Sequence, residues 1–408
     1  MFGTKKTQII TDEKKIDEFL KRGVENIFPN KDFLKARLIK GERMTFYLGI
    51  DPTGPSIHLG HLIPLKKLSE LQKLGHNIIL LIGDFTAMIG DPTDKTSARK
   101  KLTREEILKN CEGYKKQVSK IISFSGSNKA TLRFNSEWLS KLTFSELLDI
   151  ASHITYAQTV KRSMFQQRIE EGKDLFLHEF MYPMMQGYDS VAMDVDGEIG
   201  GNDQTFNMLM GRDLMKSLKN KEKFVLATKL LTDSEGKKMG KTEGNMISLD
   251  QTAEDMFGKV MSWNDSLIIT GFELITDISL DEIESMKSSL ASGQNPKDLK
   301  IKLAKEIVKM LHDEKSAERA AENFTNTFKK GEIPEDVKEV RVQKGTLLVD
   351  TLVQEGIVSS KGDFRRLIEG NAISQIGDEE VITDPNYTIN NNLNLRIGKK
   401  RFIKIIVS

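Results

Sequence analysis

The sequence predicts an α/β protein: a parallel, doubly wound sheet, then an α-helical block, then a small α+β module. Three observations predict it. Met44 to Ile50 reads as a buried strand that breaks at Gly and Pro and re-enters as a helix, and a second aliphatic strand, Ile78 to Ile82, follows that helix. Strand, helix and buried strand in that order form the repeating unit of a parallel sheet. Beyond Leu249 the apolar spacing becomes helical, and from about Gly345 short strands return. The expected divisions are 1–228 for the sheet, with helices over 1–40 and a helical insertion at about 95–170, then 229–335 for the helical block and 342–408 for the last module.

Taken in order, Asp12 to Lys40 reads as a helical hairpin with Ile16, Phe19 and Leu20 on one face and a break at Phe28-Pro29-Asn30. After the first strand, Leu62, Leu65, Leu68, Leu71 and Leu74 alternate with Lys66, Lys67, Glu70 and Lys73, which predicts an amphipathic helix stopped by Gly75. Lys95 to Arg168 is charged and mostly helical by pattern, with Thr103-Arg-Glu-Glu as a capping box. A helix over Phe180 to Asp189 carries Pro183 in its first turn, and Gly197 to Gln204 is a strand-to-helix turn feeding a helix from about Thr205 to Lys216. Asn295 caps and Pro296 opens a helix with Leu299, Leu303, Ile307 and Met310 as its stripe. Gly331 and Pro334 mark a linker; Leu347 to Glu355 and Ser359 to Gly370 are the helices of the last module.

Composition excludes several classes. Sixty-one basic residues balance 59 acidic ones, so no bulk charge points to a partner. The single Cys111 rules out a disulfide framework and fits a reducing cytosol. Lys5 and Lys6 precede no apolar h-region, and the longest aliphatic run is Ile78 to Ile82, too short for a bilayer. A soluble intracellular protein is expected.

Chemistry concentrates in loops. The turn from Gly49 to His61 lies at a strand's carboxyl end and a helix N-terminus, where ligands bind in open sheets and unpaired N–H groups meet anions. His58 and His61 share one side of the first helical turn, and Gly60 leaves a flat ligand room between them. A zinc site is disfavoured, since the usual helical pair is four apart with a Glu and one cysteine builds no cluster. Tyr182, Gln186 and Asp189 share one helical face, either solvated or aimed at a polar partner. Gly200 and Gly201 let backbone approach a ligand, with Asp203 and Gln204 at the helix start; a plain N-capped turn reads equally well. Asp233 to Asn245 is a loop of glycines and lysines suited to polyphosphate, or simply solvated. It is not a Walker P-loop, because Glu235 stands where that motif needs glycine and no clear buried strand feeds it. In the last module Arg365 and Arg366, with Arg396, Lys399, Lys400, Arg401 and Lys404, suit a phosphate backbone, against the simpler reading of a basic tail.

Together His-Leu-Gly-His at 58–61 and Lys-Met-Gly-Lys-Thr at 238–242 resemble the two signatures of class I aminoacyl-tRNA synthetases, and the residues between them resemble the bacterial tyrosyl enzymes. Tyr47-Leu-Gly-Ile-Asp-Pro-Thr, Ile89-Gly-Asp-Pro, Tyr182 with Gln186 and Asp189, and Gly200-Gly-Asn-Asp-Gln carry the likeness. The C-terminal module is similar to an RNA-binding fold shared with a ribosomal small-subunit protein. Leu59, Asn202, Gly240, Thr242 and Thr205-Phe206 depart from the commoner residues.

The resemblance implies a Rossmann-like catalytic domain and a ligase that activates tyrosine with ATP and charges tRNA(Tyr). It implies phosphate handling by Thr53, His58, His61, Lys238, Lys241 and Thr242 with Mg2+ on the phosphates, and no structural metal. Gly49, Asp51, Gly60, Gly201 and Asp203, with Lys241, would hold ATP; Tyr47, Asp91, Tyr182, Gln186, Asp189 and Gln204 would hold tyrosine; Arg365, Arg366, Lys399, Lys400 and Arg401 would meet RNA. It also implies a cytoplasmic homodimer. The competing readings are the tryptophanyl relative, disfavoured by Tyr47, Asp189 and the C-terminal module, and an RNA-binding protein that kept the scaffold without catalysis.

Overall fold

Six strands form the sheet that positions the candidate site: β1 (Val24–Phe28), β2 (Thr45–Ile50), β3 (Asn77–Ile82), β4 (Thr131–Phe134), β5 (Gly197–Gly201) and β6 (Phe224–Thr228), in the spatial order β1-β6-β5-β2-β3-β4. The computed structural model describes residues 7–93, 102–160, 163–232, 246–329, 337–376, 381–398 and 401–407; Lys238, Lys241, Thr242, Lys399 and Lys400 lie outside them. Strands β2 to β6 are parallel to their neighbours, and only β1 runs antiparallel, against β6. Strands β2, β3 and β6 are rich in apolar residues because both faces are covered; all five residues of β6 are buried.

Four local expectations need correction. The N-terminal hairpin is two helices, Glu13–Lys21 and Lys31–Ile39, separated by β1 rather than joined directly. Val24 to Phe28 becomes a strand because β6, about two hundred residues away in the chain, offers it an edge, with Phe28 opposite Val225. The charged insertion likewise contributes β4, paired with β3. Pro183 sits inside the helix Leu177–Met193, past its first turn. A buried strand, β6, does run shortly before the glycine–lysine stretch, which leaves Glu235 as the argument against a P-loop.

The helix Leu59–Lys73 is not amphipathic in place. Its leucines are buried, and so are Lys66 and Lys67. Lys66 Nζ donates to Ile275 O (2.7 Å), Thr276 O and the Asp277 carboxylate (2.7 Å), at the C-terminus of the helix Leu267–Ile275. A cation at a helix C-terminus meets carbonyls that have no intrahelical partner. Lys67 reaches Phe19 O at 2.8 Å. Gly75 ends the helix with φ of +96°, a conformation a side chain resists.

The chain divides into two compact units, Met1–Asp313 and Glu314–Ser408. The first includes the helices Ala253–Met261, Leu280–Ala291 and Pro296–Leu311; Asn295 caps the last by accepting the Lys297 N–H at 2.9 Å, and Leu299, Leu303 and Ile307 are buried while Met310 is only partly so. The second holds the helix Glu314–Lys329, a four-stranded sheet of β7 (Glu339–Val342), β9 (Ile373–Gln375), β11 (Leu393–Ile397) and β12 (Arg401–Val407), and a two-stranded ribbon of β8 (Thr346–Leu347) and β10 (Thr388–Ile389). Helices Leu348–Gln354 and Lys361–Glu369 share its core through Leu348, Leu352 and Phe364 against Ile373, Leu395 and Ile403. Among the described residues no helix is long and apolar enough to cross a membrane.

Candidate active site

The strand order reverses between β2 and β5: β2 is followed in the chain by β3 on one side, while β5 is followed by β6 on the other. Such a switch point opens a crevice outside the carboxyl ends of the strands. Ile50 and Gly201 end their strands there, so the turn containing the histidines and the Gly200-Gly201-Asn202-Asp203-Gln204 turn face the same opening.

His58 is the N-cap of the helix Leu59–Lys73, and the two histidines form its capping box. Gly60 N–H donates to His58 Nδ1 at 3.1 Å, and His58 N–H donates to His61 Nδ1 at 3.4 Å. Because each Nδ1 accepts, each neutral ring carries its proton on Nε2. Ring centroids stand 3.9 Å apart. Burial, and then the His58 ring, hold the His61 pKa down at about 3. With each Nδ1 already accepting, the pair presents two Nε2–H donors at a helix N-terminus, an anion cradle.

The segment that follows the lysine stretch is tied to this turn. Leu59 N–H donates to Ile247 O (3.0 Å), Leu249 N–H to Ile57 O (2.8 Å), and His58 pairs with Ser248 as an antiparallel bridge. Leu231 and Met246, on either side of the undescribed 233–245, line one cavity with His58 and Gly60. Described residues on either side of that stretch thus lie at the histidine turn.

Behind the turn lies a cluster of buried and half-buried polar groups built on the helix Leu177–Met193. Asp189 is 2 % exposed and accepts from Trp138 Nε1 (2.8 Å) and Asn135 Nδ2 (3.3 Å). Burial lifts its carboxyl well above the ordinary value; those two hydrogen bonds oppose the shift. Tyr182 Oη donates to Asp51 Oδ2 (2.9 Å), and Thr86 Oγ1 donates to Asp51 Oδ1 (2.8 Å). Asp91 accepts from Gln204 Nε2 (2.8 Å) and from Thr93, while Gln204 Oε1 accepts from Asn207 (3.0 Å). Gln186 Nε2 donates to Glu198 Oε1 (3.1 Å), and its buried Oε1 has no partner among the described residues. An unpaired buried acceptor is costly unless something donates to it. Tyr47 is fully buried, its hydroxyl 2.9 Å from Ser190 Oγ; burial, then the Glu198 and Asp189 charges, raise its pKa.

On the opposite flank, Gly49 is exposed, and a Cβ there would meet nothing within 4 Å. A Cβ at Gly201 would instead stand 2.4 Å from Asp203 Oδ1 and 3.0 Å from Leu230, so glycine there sets where the Asp203 carboxylate lies. Thr205, one of the departures from the commoner sequence, closes the turn by donating to Asn202 O at 2.7 Å, and Phe206 packs against the apolar cluster that includes Met210 and Leu214. Thr53 N–H donates to Asp51 O (2.8 Å), folding the turn back on itself.

Sequence reasoning missed six residues of this polar cluster: Thr86, Asn135, Trp138, Ser190, Glu198 and Lys223. Lys223 is fully buried and pairs with Glu198, 2 % exposed. A lone carboxylate in the Gly-Glu-Ile-Gly-Gly strand was a readable signal, since buried acids demand a counter-ion. Asn135 and Trp138 gave none. In the second unit Arg365, Arg366 and Arg396 are exposed, and Arg366 and Arg401 both act on Asp363, whose pKa is lowered first by the Ser359 N–H and hydroxyl. Arg401 also donates to Ile357 O.

A doubly wound sheet with a histidine-capped helix at its switch point defines the class. Residues 40–329 match the model of the class I tRNA synthetases of the tryptophan and tyrosine type, and the chain belongs to that family. It is similar to the tyrosine–tRNA ligase 2 of Clostridium acetobutylicum, 42 % identical over 403 residues that cover 97 % of this chain and all of that one. The tyrosine–tRNA ligase of Colwellia psychrerythraea is also 42 % identical, over 98 % of this chain and all of its own length. Among solved structures, a C-terminally truncated mitochondrial tyrosyl-tRNA synthetase of Aspergillus nidulans shares the fold, with a TM-score of 0.67 at 22 % identity over 77 % of this chain and 94 % of that one.

Proposed function

We propose that this chain is a tyrosine–tRNA ligase: it joins L-tyrosine to ATP as tyrosyl-adenylate, releasing pyrophosphate, and transfers the tyrosyl group to the terminal ribose of tRNA(Tyr). The observation that carries the reading is the pairing of Ile247 to Leu249 with the His58 turn, which brings the flanks of the lysine stretch to the histidine pair. Two loops distant in sequence then serve one triphosphate.

The first step needs no protein nucleophile. A carboxylate attacks the α-phosphorus while the bond to pyrophosphate breaks, so the protein supplies alignment and donors for the leaving charge. His58 and His61 offer Nε2–H groups, Thr53 a hydroxyl, and Lys238, Lys241 and Thr242 charge and hydroxyl from the other side. Asp203, placed by Gly201, takes the ribose, with Gly49, Gly60 and Asp51 framing the nucleotide. Magnesium arrives as part of the nucleotide substrate, since it keeps phosphate and water ligands rather than a protein cage. Asp91, Tyr182, Gln186 and Gln204 surround the ammonium group, where Gln186 Oε1, without a partner among the described residues, is an acceptor. Tyr47 and Asp189 take the phenol, and a site built to bond that hydroxyl rejects phenylalanine strongly; the tyrosyl enzyme is the general example of this effect.

Arg365, Arg366 and Arg401, with Lys399 and Lys400, are the RNA-facing charges of the C-terminal module. A homodimer is supported by Phe144, Tyr156 and Leu177, which are 74, 74 and 84 % exposed and apolar. The work is cytoplasmic, where one free cysteine stays reduced. Tyrosine-dependent exchange of pyrophosphate into ATP tests the activity. Lys241→Ala should lower the single-turnover activation rate at least tenfold with tyrosine affinity little changed; an unchanged rate would remove the lysine stretch from the mechanism.

A further inference from the structure

Beneath the phenol end of the polar cluster lies a buried ion pair that the two reaction steps do not use. The β2–β5 register sets Tyr47 beside Glu198, and Lys223 Nζ spends its three protons on Glu198 Oε2, Ser190 Oγ (2.8 Å) and Met208 O (3.1 Å). Lys223 also stands 5.6 Å over the Tyr47 ring. Space for the ammonium comes from Gly211: a Cβ there would approach Lys223 Nζ to 2.5 Å and Ser190 Oγ to 2.8 Å.

With Ser190 donating to Tyr47, and Tyr47 turned outward, each hydroxyl proton finds an acceptor. Among the described residues Ser190 Oγ has two side-chain neighbours, Lys223 Nζ and Tyr47 Oη. An ammonium only donates, so Ser190 Oγ accepts from Lys223 and keeps its own proton, for which Tyr47 Oη is the remaining side-chain acceptor among the described residues. The Tyr47 proton is then directed away from Ser190. Two acceptors compete for it: the Glu198 carboxylate, which acts on Tyr47, and the phenol oxygen of a bound tyrosine. Glu198 already takes Gln186 on Oε1 and Lys223 on Oε2, which weakens its hold on a third donor.

We infer that Lys223 and Ser190 are positioning residues that turn the Tyr47 hydroxyl into a donor aimed at the substrate phenol, with Asp189 accepting the phenol's own proton. The inference rests on the tyrosine-activating reading above. Lys223 donates to Ser190, Ser190 to Tyr47, Tyr47 to the substrate and the substrate to Asp189, so a phenylalanine side chain leaves both Tyr47 and Asp189 without their partner.

The test compares tyrosine and phenylalanine in pyrophosphate exchange, as the ratio of their kcat/KM values, on the full-length chain. Ser190→Ala keeps the ion pair and should lower the ratio about tenfold through tyrosine KM, the worth of one hydrogen bond, with ATP KM unchanged. In a Tyr47→Phe background the same change should add nothing. Lys223→Met frees Glu198 to capture the Tyr47 proton and should lower the ratio further, and Lys223→Met with Glu198→Gln should return it to the Ser190→Ala level. Thermal melts accompany each variant; damage to packing alone lowers both substrates together and leaves the ratio in place, and that result in Ser190→Ala overturns the relay. So does a Tyr47→Phe variant with wild-type selectivity. Absence of exchange in the wild type would instead overturn the ligase reading itself.

Discussion

Asp189→Asn isolates the site's acceptor at almost constant volume. In the native site both carboxylate oxygens are already occupied, one by Trp138 Nε1 at 2.8 Å and the other by Asn135 Nδ2 at 3.3 Å. Asn135 cannot turn to accommodate an amide, since its Oδ1 takes the Phe85 N–H at 2.9 Å and its Nδ2 also reaches Thr86 Oγ1 at 3.0 Å. An amide at 189 therefore turns its NH2 toward a donor in either orientation, and it loses the charge that the substrate phenol would meet. A hydrogen bond to a charged group contributes about 1.5–3 kcal/mol, which at about 1.4 kcal/mol per decade predicts a ten- to hundredfold fall in kcat/KM for tyrosine. Stability should fall too, by about 1–3 kcal/mol, because the NH2 facing a donor stays unsatisfied in the interior, although burial opposes the native charge. The assay is tyrosine-dependent pyrophosphate exchange at saturating ATP, with phenylalanine as a second substrate. Tyrosine kcat/KM should collapse toward the phenylalanine value while ATP KM stays within about twofold. A variant that keeps wild-type tyrosine kinetics would refute the placement of the phenol at Asp189.

Further expectations concern pH, backbone space and RNA. His76 is 1 % exposed and accepts the Met44 N–H on Nδ1; burial, then Arg43, lower its pKa from 6.5 to about 4. The unfolded chain takes this proton near pH 6.5 and the native ring resists it until about 4, so the contribution is whole above 6.5 and is lost as pH falls through 4, roughly 3 kcal/mol at 1.36 kcal/mol per unit. His76→Asn should flatten the acid limb of denaturant-derived stability between those values; an unchanged slope removes His76 as its source, and His61 acts in the same sense. Gly201→Ala pushes on the Asp203 carboxylate, 2.4 Å from the new Cβ, and should raise ATP KM several-fold with tyrosine KM unaltered; equal effects on both substrates would argue for general distortion. Replacing Arg365 and Arg366 together by alanine should weaken tRNA binding and reduce the slope of log affinity against log salt by about two, leaving pyrophosphate exchange intact.

Much of the site was legible because its signals are local. A histidine three residues from another, a glycine between them, a Thr-x-x-Glu capping box and a Pro after Asn all act within one helical turn, so spacing alone sets their geometry. The stripe of Tyr182, Gln186 and Asp189 was legible for the same reason, though not what each would touch. The 24–28 strand misread as part of a hairpin shows the limit: an edge strand of five residues has weak intrinsic preference and takes its form from β6.

Sequence by itself determined the strand, turn and helix around the two histidines and the glycine turn after β5, since each is written in neighbours a few positions apart, while β1 and β4 escaped it. Tertiary structure alone decided that Lys66 and Lys67 would be buried, that Trp138 and Asn135 would hold Asp189, and that Lys223 would answer Glu198 beneath Tyr47. Those partners stand 25 to 54 positions apart, and Tyr47 and Ser190 stand 143 apart. Which buried charge meets which is settled by sheet register and helix crossing, and no periodicity in the chain encodes it.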